Sequence, residues 1–207
     1  MNSTLIKLLF NILSQRHCCI NFVKLFAFLS SFWIKDAEKR KAERERAFNH
    51  YLTQLYGYQV LHTAKSVGDC FWCNGFSYVN ENTILGEHVN FNGMNITGKG
   101  NVKIGNYFHS GTENLIITQN HDYDTGDAIP YKGILLRDIE IGNFVWFGSR
   151  VTILPGTKIG DGVVVQAGAV VHGEIPPLAV IGGNPAQIIK YRDKEHYEKM
   201  LNEKKFY

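Results

Sequence analysis

The stretch IEIGNFVWFGSRVTILPGTKIGDGVVVQAGAVV, residues 139–171, decides how this chain folds. Bulky apolar residues recur every sixth position from Ile141 through Phe147, Ile153, Ile159, Val165 and Val171. Four places after the first five of these stand Val145, Val151, Thr157, Val163 and Ala169, all small or β-branched. Glycine follows the first position at Gly142, Gly148 and Gly160. An earlier stretch keeps the same lattice, with Val67, Cys73, Val79, Leu85 and Phe91, and Phe71, Ser77, Thr83 and Val89 at the fourth offset. The lattice breaks near Gly93 and resumes around Val102 and Ile104. No α-helix repeats every six residues, whereas a strand of period two plus a turn of fixed length does. Each unit then forms one flat face, glycine allows the corners, and stacked units give a parallel β-solenoid.

Working outward, the two ends of the chain differ. All 20 glycines lie at or after Gly57. Residues 1–34 carry Lys7, Arg16 and Lys24, no acid, and much Leu, Ile and Phe. Leu5, Leu8, Leu9 and Ile12, then Phe22, Leu25, Phe26 and Leu29, follow helical spacing and predict one or two amphipathic helices over 3–34. Residues 35–46 hold six positive and four negative side chains, the pattern of a solvated helix. The apolar part suits either docking on protein or peripheral contact with a membrane surface. Its longest uncharged stretches, 8–15 and 25–34, are too short to span a bilayer. Its interrupted apolar run also argues against a signal peptide. The expected organisation is a helical extension over 1–56, a β-helix over 57–183 with a loop at 119–137, and a tail with a short helix over 184–207.

Composition excludes several classes. The 22 basic and 19 acidic residues leave +3, far from a nucleic-acid binder. Four cysteines are too few for a disulfide scaffold, and reduced thiols suit the cytoplasm. Cys70 and Cys73 have metal-ligand spacing without a second pair, so they read as structural. A γ-type zinc hydratase needs two histidines five apart, and no two of the eight are. No metal is expected.

The 139–171 run, with Ile175-Pro-Pro-Leu-Ala-Val-Ile-Gly-Gly-Asn-Pro-Ala-Gln-Ile-Ile-Lys190 after it, resembles the hexapeptide-repeat acyltransferase family. Within it, the sequence is similar to maltose/galactoside O-acetyltransferases and surface-polysaccharide O-acetyltransferases. The resemblance covers roughly residues 65–192. It implies a mainly β, left-handed parallel β-helix of triangular section, with three hexapeptides per coil. It also implies a homotrimer with active sites between subunits, and acetyl-CoA as co-substrate.

A hydroxyl or amine attacking a thioester must lose its proton, and a near-neutral imidazole suits that task. His121 lies in Gln119-Asn-His-Asp-Tyr-Asp124, at the start of the polar break in the repeat. It resembles the family's catalytic histidine and is the expected general base. Asp122, Asp124 or a backbone carbonyl could orient it. By resemblance, the backbone amide of Ser149 faces the oxyanion. Ala167 and His172 line the CoA groove, and Lys190 and Arg192 meet its phosphates. The family often has Thr-Lys where His172-Gly173 stand, and usually Ile where Phe147 stands. Asn92 matches a sugar-binding asparagine, with a ladder role as the alternative. Trp146, Tyr123 and Tyr131 offer apolar faces to a sugar.

The expected function is acetyl-CoA-dependent O-acetylation of a sugar hydroxyl in surface-polysaccharide or lipopolysaccharide biosynthesis. Its place would be cytoplasmic, or peripheral at the inner membrane face. The alternative acceptor is an amino sugar or an antibiotic, and a non-catalytic assembly solenoid is a third class.

Overall fold

The computed structural model describes residues 16–206, with side chains from Val23 onward. The predicted segment over 3–15 lies outside them. Two compact units divide the chain, residues 1–55 and 56–207.

In the first unit, helix α1 (Arg16–Ser31) is followed by α2 (Ala37–Thr63), whose last two turns belong to the second unit. Val23, Ala27 and Ser31 form the buried stripe of α1. The turn between the helices is fixed by Arg40, whose guanidinium donates to the Ile34 and Lys35 carbonyls. Arg44 donates to Ser31 Oγ at 2.8 Å and lies over the Phe28 ring.

The second unit is a three-faced parallel β-solenoid. Its first face stacks Ser66–Val67, Thr83–Leu85, Val102–Ile104, Ile139–Ile141, Lys158–Ile159 and Glu174–Ile175. Its second face stacks Trp72–Cys73, Asn90–Phe91, His109–Ser110, Trp146–Phe147, Val164–Val165 and Ala179–Gly182. Its third face stacks Met94–Thr97, Asn114–Ile117, Thr152–Ile153 and Val170–Val171. Where the register is regular, one coil advances 18 residues: Glu140 faces Lys158, Trp146 faces Val164, Thr152 faces Val170. Three hexapeptides make one coil there, as the family resemblance implies.

Every position of the 141–171 lattice points inward. Phe147, Val151, Ile153, Val163, Ala169 and Val171 are completely buried. Phe91, Phe108 and Phe147 stack edge-to-face down the axis, with centroids 5.9 and 5.0 Å apart. Thr157, a polar residue inside, donates its hydroxyl to the Leu154 carbonyl at 2.6 Å. Burial with a satisfied hydrogen bond costs it little.

Glycine at Gly142 has a specific cause. A Cβ there would lie 2.3 Å from Asp161 Oδ1 of the next coil. That carboxylate accepts from the Asn143 amide, and Asn143 Oδ1 in turn accepts from the Asn106 amide. The first corner is thus a polar ladder running along the prism. Beside it, the corner residues His88, Tyr107 and Phe144 all take positive φ near 55°. For bulky residues this conformation is costly, and their rings offset it by stacking in parallel at 4.6 and 5.0 Å.

Both ends of the solenoid are closed. At the start, Gln59 of α2 exchanges two hydrogen bonds with the Val79 backbone, and Val60 is fully buried in the core. At the end, Gln187–Tyr191 adds an antiparallel strand to Ala179–Gly182. Helix α3 (Lys194–Asn202) follows, started by the Asp193 side chain. Phe206 beyond it packs on the Tyr107 and Phe144 rings. Two details differ from the sequence reading. α2 continues to Thr63, because its last turns carry the side chains that close the first coil. The tail begins with a strand, because Ile188 and Ile189 extend the second face after a reversal at 183–186.

The inward and outward sets predict opposite responses. Phe108→Ala removes the middle ring of the axial stack and lowers unfolding stability by about 3–5 kcal/mol. Lys158→Ala, at an exposed ion pair on the first face, changes it by less than about 1 kcal/mol. Urea denaturation of the two variants checks both.

Candidate active site

The largest departure from the regular coil follows the third-face strand Asn114–Ile117; smaller ones make the register 19 residues from Thr83 to Val102 and 16 from Lys158 to Glu174. Across the largest the register jumps from 19 to 37 residues, since His109 pairs with Asn90 on one side and Trp146 on the other. The extra chain is a β-hairpin: Gln119–His121 pairs antiparallel with Ile134–Leu136, and His121 faces Ile134. The polar loop expected at 119–137 is therefore partly a built element. It projects at the third corner, between the third face and the first.

His121 sits at the end of the first hairpin strand and is exposed. Its ring stacks on Tyr131 at 3.8 Å between centroids and 21° between planes. Its backbone N–H donates to Asn120 Oδ1. Of the acids considered as its orienting group, Asp122 is engaged elsewhere. Its carboxylate accepts from the Thr125 hydroxyl at 2.6 Å and from the Thr125 amide at 2.9 Å. These bonds, the hydroxyl's first, hold the Asp122 carboxyl below the usual carboxylate range. Asp122 thus shapes the hairpin tip. Tyr131, read from sequence only as a sugar platform, is the group that fixes the imidazole plane.

Beside the hairpin lies an open cleft of about 440 Å³. Asn120, Asp122 and Leu135 line it from the hairpin, and Leu154, Pro155 and His172 from the coils. His172 therefore shares the third corner with the hairpin. Arg137, where the coil resumes, also lines this cleft and was not singled out from sequence.

The other expected groups occupy the second corner. Ser149 follows the second-face strand Trp146–Phe147, and its hydroxyl accepts from the Thr112 amide and hydroxyl. A Cβ on Gly111 would lie 2.6 Å from Ser149 N, so the coil below comes very close to that amide. Ala167 sits one coil on, its N 2.6 Å from where a Gly148 Cβ would be. Asn92 lies lower on the same corner. Its side-chain amide donates to the Ser110 carbonyl at 2.7 Å, and its Oδ1 accepts from Asn74. The ladder role is the one this geometry displays. Trp146 points outward from the second face and is 56% exposed, flanked in register by His109 and Val164.

Lys190 and Arg192 part company. Lys190 is exposed on the antiparallel strand opposite Val180. The Arg192 guanidinium donates to the Gly162 carbonyl at 3.1 Å and lies over the Tyr197 ring. It braces the first corner. Cys73 points into the core, donates to the Gly75 carbonyl, and burial raises its thiol pKa. Cys70 is exposed at the first corner, so the two cysteines do not face one common site.

Corner geometry sets what can react with what. Six residues separate Ser149 from Pro155 across the third face, roughly 15–20 Å at strand rise. A base must come within about 3 Å of the proton it takes. The hairpin carrying His121 lines a cleft with the third corner, not with Ser149 and Ala167.

Comparisons with known proteins agree with this architecture. Residues 138–173 match the bacterial transferase hexapeptide (six repeats) family. A stretch of 66 residues is 54% identical to the Escherichia coli (strain K12) protein named "Putative lipopolysaccharide biosynthesis O-acetyl transferase WbbJ", taking in 32% of each chain. Another 66-residue match, 46% identical, is to a chloramphenicol acetyltransferase of Morganella morganii, covering 32% of this chain and 31% of that one. The matched stretch thus spans about a third of the length of these relatives. Among solved structures, a galactoside acetyltransferase in complex with coenzyme A superposes with a TM-score of 0.57, over 86% of this chain and 84% of that one, at 23% identity. The resemblance to hexapeptide-repeat acetyltransferases is met, and so is the parallel β-solenoid.

The Asp122–Thr125 pair generates a pH prediction. A carboxyl whose folded-state pKa is depressed stabilises the fold above its ordinary value and loses that effect as pH falls through the depressed one. Protection of the Thr125 amide from hydrogen exchange should therefore drop only at acid pH below the usual carboxylate range. Asp122→Ala should abolish that protection at neutral pH as well.

Proposed function

We propose that this chain is an acetyl-CoA-dependent O-acetyltransferase that modifies a sugar hydroxyl in surface-polysaccharide or lipopolysaccharide biosynthesis. The observation that carries this reading is the hairpin leaving the solenoid between Ile117 and Ile139, with an exposed, ring-braced imidazole at the far end of its first strand. The Escherichia coli relative reported above is named for O-acetyl transfer in lipopolysaccharide biosynthesis, and the fold is one that holds coenzyme A in the galactoside acetyltransferase.

The chemistry follows from the residues. His121 accepts the proton of the acceptor hydroxyl as its oxygen attacks the thioester carbonyl. A tetrahedral oxyanion forms, and the Ser149 amide is the donor assigned to it. Collapse breaks the C–S bond, and the imidazolium returns the proton to the departing thiolate. The products are an acetyl ester and CoA, with no net proton change. Ala167 and His172 mark the two edges of the third face, a width that the long pantetheine arm can cross. Lys190 is the cation assigned to the nucleotide phosphates.

His121 and Ser149 sit at different corners of one rigid prism. The reaction therefore needs His121 from one protomer and Ser149 from its neighbour, which is the arrangement of a homotrimer with sites at its seams. A second reading, acetylation of an antibiotic hydroxyl, draws on the chloramphenicol acetyltransferase match.

His121→Ala should lower kcat for acetyl transfer by about 10²–10⁴-fold while leaving acetyl-CoA binding by calorimetry near its original level. Retention of full activity would remove His121 as the base. A panel of lipopolysaccharide-type glycans and chloramphenicol, assayed with the same enzyme, separates the two acceptor readings.

A further inference from the structure

The first unit holds a feature the transfer reaction does not use. On α1 the buried stripe is Val23, Ala27 and Ser31. Leu25, Phe28 and Leu29, with Phe32 in the turn that follows, form a second apolar stripe at helical spacing, and all four are exposed. At about 100° per residue the two stripes centre about 150° apart. One face of α1 is therefore packed, and the opposite apolar face is exposed apart from the Arg44 guanidinium over Phe28. Phe28, Phe32 and Trp33 form a chain of touching rings, with centroids 5.9 and 5.4 Å apart. Trp33 ends it at 86% exposure.

Along the chain that carries this patch the charge has one sign, and the α2 side chain seated on it, Arg44, is also a cation. Between residues 16 and 35 the ionised side chains are Arg16, Lys24 and Lys35, with no acid. The first acid, Asp36, is occupied in starting α2, where it accepts from the Lys39 amide. A second copy of this face would bring its cations against their own kind. An anionic surface would neutralise them. Among the described residues, no helix is long and apolar enough to cross a membrane. The geometry instead suits a helix lying flat, with rings at the headgroup boundary and lysine stems reaching back to the phosphates.

We infer that the exposed face of α1, through Leu25, Phe28, Leu29, Phe32 and Trp33, docks on the surface of an anionic lipid bilayer. This stands independently of the acetyl-transfer reading. The test is cosedimentation of the full chain with vesicles of phosphatidylcholine containing phosphatidylglycerol, against phosphatidylcholine alone. Binding should require the anionic lipid and weaken at high salt. The double variant Leu29→Glu/Trp33→Glu should lose it at least about tenfold, with an unchanged circular dichroism spectrum and unchanged acetyl-CoA binding. Lys24→Glu/Lys35→Glu should weaken it while keeping the apolar stripe. No binding to anionic vesicles, or binding that survives Leu29→Glu/Trp33→Glu, would overturn the inference. So would a change in oligomeric state of that variant without vesicle binding, which would assign the face to a second copy.

Discussion

Everything in the second unit depends on the parallel hydrogen-bond register between successive coils. Each backbone N–H at a strand finds a carbonyl one coil away, as Trp146 N does at Val163 O and Gly148 N at Val165 O. That pairing keeps the sequence near a period of eighteen, with one or two residues gained or lost between strands, as from Asn90 to His109 and from Val164 to Val180. Inward side chains are then fixed in number and direction, and a wrong volume at one position is felt by the coils on both sides. The polar ladder of Asn106, Asn143 and Asp161 applies the same constraint at a corner. It satisfies backbone amides that the turn would otherwise leave without partners.

A wall built this way does not bend, and that decides where chemistry is possible. Side chains on one corner stay on that corner. Variation enters where a coil takes extra residues without disturbing its neighbours. The hairpin between Gln119 and Leu136 is such a place: the coil resumes at Ile139 opposite Val102 as though nothing had intervened. His121 thus gains reach while its base remains tied to a rigid support. The Tyr131 ring and the Asp122–Thr125 bonds supply the local order that the coil cannot give.

Much of the fold was legible because its cause is periodic. A six-residue lattice such as Ile141, Phe147 and Ile153 has few structural solutions, and the buried set follows it residue by residue. The elements that were missed depend on single contacts instead. Nothing in the period marks Gln59 as the side chain that joins α2 to Val79, or Ile188 and Ile189 as an added strand. The exposed position of His121 outside the coil was legible from its place at a break in the repeat. The separation of Ser149 and Ala167 from His172 was not. Resemblance groups such residues along the chain, whereas the prism distributes them over two corners. The commitment of Arg192 to Gly162 and Tyr197 was likewise invisible, because a basic residue in a tail reads the same whether it meets phosphate or a neighbouring ring.

The central claim is that catalysis requires one corner from each of two chains. Mixing inactive proteins tests it directly. One carries His121→Ala and the other Ala167→Trp, which fills the second corner beside Ser149. Dissociated and reassembled together, they should recover acetyl-transfer activity, because some seams then pair an intact hairpin with an intact corner. Mixed assemblies that form normally and stay inactive at every ratio would contradict the account.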